Sequence, residues 1–107
     1  MLTSNKGSVH ISNQAIAKIA SLSIREVREV TALADGWTKR TDRNKFYKAI
    51  LIDINDMGLA INVNPIVRLG IPLHQLSRTL QLKIKQEVEK MTGLIVTAVN
   101  INIAGIA

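Results

Sequence analysis

The stretch PLHQLSRTLQLKIKQEVEKMTG, residues 72–93, followed by LIVTAVNINI, residues 94–103, decides the fold. In its first part apolar side chains fall at Leu73, Leu76, Leu80, Ile84, Val88 and Met91. Steps of three or four residues place them on one face of a 3.6-residue helix. Pro72 suits the first helical position, where a missing N–H costs nothing, and Gly93 suits the left-handed position just past the end. The opposite face is polar, with Gln75, Arg78, Lys85, Gln86 and Glu89. Leu82 sits off the apolar stripe, as an ordinary exposed leucine or as a subunit contact. From Leu94 the period changes to two, the mark of a strand. Ile95, Thr97, Val99, Ile101 and Ile103 are expected under the helix. Leu94, Val96, Ala98, Asn100 and Asn102 point the other way, onto a face that begins apolar, turns polar and is only partly covered.

Immediately before this unit, Ile50, Ile52 and Ile54 alternate with Ala49, Leu51 and Asp53, and Leu59, Ile61 and Val63 alternate with Ala60, Asn62 and Asn64. Asn55, Asp56, Met57 and Gly58 form the turn between the two strands. Pro65 lacks a ladder donor and marks a bulge, an edge or the end of pairing. Ile66–Leu69 resumes the strand. The helix after it then acts as a right-handed crossover that lays the last strand parallel to this one.

Further upstream, Asp35–Lys48 breaks the pattern. It reads DGWTKRTDRNKFYK and holds all three aromatic residues of the chain, with Lys39, Arg40, Arg43, Lys45 and Lys48 against Asp35 and Asp42. It has no apolar period, so it is expected to be a mobile basic loop. Val30–Leu33 is β-prone and reads as a short edge strand. A helix precedes it, with Ser12 or Asn13 as its cap and Ile16, Ile19, Ala20, Ser23, Ile24 and Val27 as its buried stripe. Its small residues Ala15, Ala17, Ala20, Ser21 and Ser23 allow close approach to a neighbour. Gly7–Ile11 reads as a first short strand and residues 1–6 as a flexible N-terminus. The expected order is β-α-(β)-β-β-α-β. This is an α+β, two-layer domain over residues 7–107, with two helices on one face of a three- to four-stranded mixed sheet.

Composition narrows the function. The 107 residues suffice for one core. They are 47% hydrophobic and 3% aromatic, so that core is aliphatic. With no cysteine, thiolate metal sites, disulfides and cysteine nucleophiles are excluded. No apolar run reaches the length of a membrane span, and the start of the chain lacks a secretory segment, so a cytoplasmic location is expected. A net charge of +6 and a pI of 10.1 favour acidic partners: nucleic acid, anionic lipid or an acidic protein.

No cluster of residue types looks catalytic. His10 and His74 lack a second ligand at metal spacing. Asp53 and Asp56 flank a turn, whose chemistry accounts for Asp56. The isolated glycines form no phosphate cradle, and no G-x-S-x-G is present. Neither a cofactor nor a small-molecule substrate is expected. Two surfaces remain. The open sheet face with Asp53, Asn62, Asn64, Asn100 and Asn102, together with Leu82 on the helix, is a candidate assembly face; its amides both donate and accept, although polar alternation is normal on an open sheet and a simply hydrated face is the more ordinary reading. The segment with Trp37, Lys39, Arg40, Arg43, Lys45 and Lys48, near Phe46 and Tyr47, is a candidate site for an acidic partner. It combines cations with rings as single-strand nucleic-acid binders do, or is a solvated loop.

Three motifs carry a resemblance. They are Gly7-Ser8-Val9-His10-Ile11-Ser12 with Ile16–Ala20; Ile52–Leu59 with Ile61-Asn62-Val63; and Met91–Leu94 with Val96 and Val99–Ile106. In this order and spacing the chain resembles the alkaline shock protein family of Gram-positive bacteria, also called the general-stress or YloU-like family. The resemblance implies a small cytoplasmic, non-enzymatic α/β protein linked to the cell envelope and to alkaline or general stress. It also implies a homo-oligomer, and for some members a small membrane-anchor protein as partner. It brings no catalytic residues.

Overall fold

The computed structural model describes residues 11–107. The expected first strand at Gly7–Ile11 and the expected flexible stretch 1–6 lie wholly or largely outside them. The elements are α1 (Asn13–Arg25), β1 (Val30–Asp35), β2 (Thr38–Arg40), a 3-10 helix (Arg43–Ala49), β3 (Leu51–Asn55), β4 (Gly58–Val63), β5 (Pro65–Val67), α2 (Leu73–Thr92), β6 (Val96–Ile101) and β7 (Gly105–Ile106). The α+β class holds: helices pack on one side of mixed sheet.

The strands form two sheets, in the orders β2-β1-β5-β7 and β3-β4-β6. They are two halves of one surface, because β4 runs straight into β5 and the flanking chains bridge the join. Ala34 N–H donates to Asn64 O at 2.8 Å, Asn102 N–H to Val63 O at 2.9 Å and Ala104 N–H to Pro65 O at 2.8 Å. Burial alternates without a break from Leu59 to Val67. Pro65 therefore sits inside a continuing strand, at the point where its neighbour on one flank changes from β3 to β1. The crossover through α2 makes β6 parallel to β4, as expected; β7, which the expected order lacked, lies parallel to β5.

The helices form as their sequences dictate. Ser12 Oγ accepts from Ala15 N–H at 3.0 Å and caps α1. Ala17, Ala20 and Ser23 are buried, and α1 lies close enough to α2 for Ser23 Oγ to approach Lys83 O at 3.4 Å. In α2, Leu76, Leu80, Ile84 and Val88 are buried, and Gly93 ends the helix at φ 74°. Val88 is the last buried position of the stripe. Met91, expected there, is 55% exposed beside Ile95, 66% exposed, because the apolar floor of the sheet ends at the Leu59–Val96 rung. One aliphatic core links α1, α2, β1, β4, β5 and β6, and Phe46 is its single fully buried aromatic.

Three expectations are corrected. First, Val30–Asp35 is no edge: it is flanked by β2 and β5. Second, residues 35–48 are not a loop. They form the β1–β2 hairpin and the 3-10 helix, which Asp42 caps by accepting from Asn44 N–H at 2.9 Å. Phe46 and Ala49, three residues apart, share the buried side of that helix. Third, the last strand changes phase. The register slips between the Leu59–Val96 and Ala60–Ala98 pairs, so Val96 is buried with Val99, while Ile95 and Thr97 are exposed. Thr97 is the extra residue of this bulge, and its Oγ1 donates to Leu59 O at 3.1 Å.

Candidate functional site

Alternation along β3, β4–β5 and β6 sends Asp53, Asn62, Asn64, Asn100 and Asn102 to the face away from the helices. Asp53 is paired with Ala60, and Asn62 with Asn100. The Asn100 amide donates to Asn62 Oδ1 at 2.9 Å, so these two side chains satisfy each other in part and still present a free donor and acceptor. Leu51, opposite Asn62 on β3, adds an apolar side chain that is 62% exposed. Asn64 and Asn102 stand at the join of the two sheets.

Leu82 belongs to α2, on the other layer, yet it is not remote from this face. A groove of about 620 Å³ runs between α2 and the outer flank of β6, and both Leu82 and Asn100 line it. The remaining lining is mixed: Gln75, Arg78 and Lys85 from the helix, Val96 to Val99 from the strand. The flank of β6 would otherwise present bare backbone groups, the usual hazard of an edge strand. Three helix side chains cover it. Gln81 Nε2 donates to Val99 O at 3.0 Å, Lys85 Nζ to Val96 O at 3.1 Å, and Glu89 Oε2 accepts from Val96 N–H at 2.9 Å. Lys85 and Glu89 also face each other at 3.6 Å. The groove floor is therefore a capped strand edge. Among the described residues its charged lining groups are Arg78 and Lys85, and nothing in it is arranged for acid–base or nucleophilic work.

The basic segment divides in two. Arg43 works inside the fold. Its Nη1 donates to Val30 O at 2.7 Å, and Nη2 reaches Arg25 O and Val27 O at 3.0 Å and Ile24 O at 3.3 Å. It clamps the carbonyl end of α1, where a cation is favoured. Burial, then the neighbouring Arg28 and Arg25, push its guanidinium below the usual arginine range. Arg43 and Arg25, Glu26, Arg28 and Glu87 line a second concavity of about 570 Å³, where the charges are of both signs. Arg40 is held by Asp35 at 2.8 Å. Phe46 is in the core, and Tyr47 is half-buried with Lys18 Nζ 4.9 Å from its ring centre. Only Trp37, Lys39, Lys45 and Lys48 are left at the surface. Sequence spacing could not separate these roles, because the partners of Arg43 lie 13 to 19 residues away.

Among the described residues no group of three His, Cys, Asp or Glu side chains is placed to hold a metal ion. No described helix is long and apolar enough to cross a membrane.

Residues 1–107 match the alkaline shock protein 23 family, described as having a "cell envelope-related function". The chain belongs to this family. Among relatives, it is 30% identical to the uncharacterized protein YqhY of Bacillus subtilis over 104 residues, which is 94% of this chain and 77% of that protein. It is 25% identical to the uncharacterized protein YloU of the same organism over 111 aligned positions, covering 98% of this chain and 92% of YloU. It is 21% identical to the uncharacterized protein Spy1614 of Streptococcus pyogenes serotype M6, covering 98% of this chain and 92% of that protein. No solved structure matches the chain. The resemblance drawn from the three sequence motifs is thus the family the whole chain matches, with a cell-envelope-related function. Neither the family description nor these relatives' names assign an enzyme activity.

Proposed function

We propose that this member of the alkaline shock protein family is a non-catalytic assembly protein of the cell-envelope or alkaline-stress response. It acts by associating with a second copy or docking on a protein partner through the groove between α2 and β6 and the adjoining asparagine face. The observation that supports this most is that Leu82 and Asn100, far apart in sequence and on different layers, line one concave surface. Leu82 is 58% exposed there, and the Asn62–Asn100 pair supplies polar groups for register. An apolar contact rimmed by unspent amides is the composition of a protein interface rather than of a chemical site.

Sedimentation velocity across a concentration series, alone and with cytoplasmic and membrane extracts, tests this. Association is expected for the native chain, and Leu82→Glu and Asn100→Lys weaken it while the fold melts normally. Strict monomers at high concentration that bind nothing from either extract refute the proposal. The alternative, a nucleic-acid-binding module using residues 37–48, stands second. Arg43 and Phe46 are spent on the fold, and one free ring is a poor stacking platform.

A further inference from the structure

Trp37 is the one large side chain of the described fold that touches nothing: its relative exposure is 104%. It occupies the two-residue turn between β1 and β2 with Gly36, which takes φ 63°. Gly36 supplies the positive φ that such a turn needs, and the turn makes no demand on the side chain at 37. The fold therefore gains nothing from Trp37, and the other two aromatics show what the fold does with a ring it uses.

The charges around the tip sort in the same way. Arg40 is bonded to Asp35, Asp42 caps the 3-10 helix, and Arg43 clamps α1. Lys39 on β2 and Lys45 and Lys48 on the adjacent 3-10 helix are exposed, and none has an ion pair among the described residues. Lys45 and Lys48 are three apart, so they stand one above the other on a side of the helix next to the one that Phe46 and Ala49 bury. The result is a protruding indole on a hairpin whose second strand and following 3-10 helix, itself packed on β1 and β2, carry three lysines without ion pairs, with both carboxylates of the segment already engaged.

We infer that this hairpin tip docks directly on a lipid surface bearing anionic headgroups. Indole partitions to the boundary between headgroups and acyl chains, and each nearby lysine strengthens attachment to an anionic leaflet about fivefold. A narrow two-strand tip delivers one ring into that boundary without displacing any core contact. A nucleic-acid strand fits less well, because stacking needs successive rings and only one is free. This surface is separate from the groove between α2 and β6, so either assignment can fail without the other.

Trp37 is the only tryptophan of the chain, so its emission reports the docking itself. The full chain is titrated with vesicles of phosphatidylcholine alone and with vesicles containing added phosphatidylglycerol, at low and high salt, with co-sedimentation in parallel. Binding with a blue-shifted emission is expected only on the anionic vesicles and only at low salt. Trp37→Ala should weaken co-sedimentation, and Lys39→Glu, Lys45→Glu, Lys48→Glu together should weaken it at least about 100-fold. Melting temperatures should change little, because Trp37 is fully exposed and the three lysines are exposed and without ion pairs. Absence of binding to anionic vesicles overturns the inference. So does vesicle binding with unshifted emission that Trp37→Ala leaves intact. So does single-stranded nucleic acid that quenches Trp37 and is not displaced by anionic vesicles.

Discussion

Replacing Arg43 by alanine takes from the interior the shared partner of four backbone acceptors. Val30 O, Arg25 O and Val27 O lie at 2.7, 3.0 and 3.0 Å from its nitrogens, and Ile24 O at a weaker 3.3 Å. A hydrogen bond to a charged group is worth roughly 1.5–3 kcal/mol, but bonds from one guanidinium are not additive, and the end of α1 regains some water. Removing the cation also relieves the burial and the repulsion from Arg28 and Arg25 that lower its pKa. A net loss of about 3 kcal/mol follows, which for a domain of this size corresponds to roughly 12–20 °C in Tm. Urea unfolding followed by circular dichroism, with calorimetry for Tm, measures it. Arg43→Lys should recover less than half, since one ammonium cannot span carbonyls from the end of α1 to the start of β1. A loss below about 1 kcal/mol for Arg43→Ala would refute the clamp and return the segment to a solvated loop.

Three further outcomes follow from the same geometry. Gly58→Ala should cost about 2–4 kcal/mol in urea unfolding, because φ is 138° there and a Cβ would lie 2.5 Å from Ile95 O. Phe46→Ala should cost about 3–5 kcal/mol by the same assay, as for a core ring, whereas an aromatic in an open loop would cost almost nothing. Arg28→Gln should raise Tm at low salt by relieving repulsion on Arg43, and the gain should disappear at high salt.

What could be read from the sequence was what is encoded locally. The stripe of α2, its stop at Gly93, the Ser12 cap and the Gly58 turn each depend on neighbours within a few residues, and all appear in the structure. What could not be read depends on partners far along the chain. The phase of β6 is set by its pairing with β4, where Thr97 bulges to reach Leu59 O, so alternation counted from Leu94 came out inverted as far as Thr97 and is in phase again from Val99. The segment 35–48 looked aperiodic because a 3-10 helix repeats every three residues and shows only one such pair, Phe46 and Ala49, before it ends. The polar face was legible as a set of asparagines. That Leu82 shares a groove with Asn100 was not, because nothing local says how far α2 overhangs β6.

The strand formed by β4 and β5 has a consequence for how the chain is born. On one flank it is joined by β3 and β1, both made before or with it; on the other it waits for β6 and β7, which are made later, after α2. Until they arrive, the middle of the molecule has an open rim along the strand from Leu59 to Val67, covered on its aliphatic face only by whatever α1 and α2 can shelter. Nascent chains stalled before residue 96 should therefore be the sticky ones that chaperones hold, and emergence of residues 96–107 should be the moment of escape.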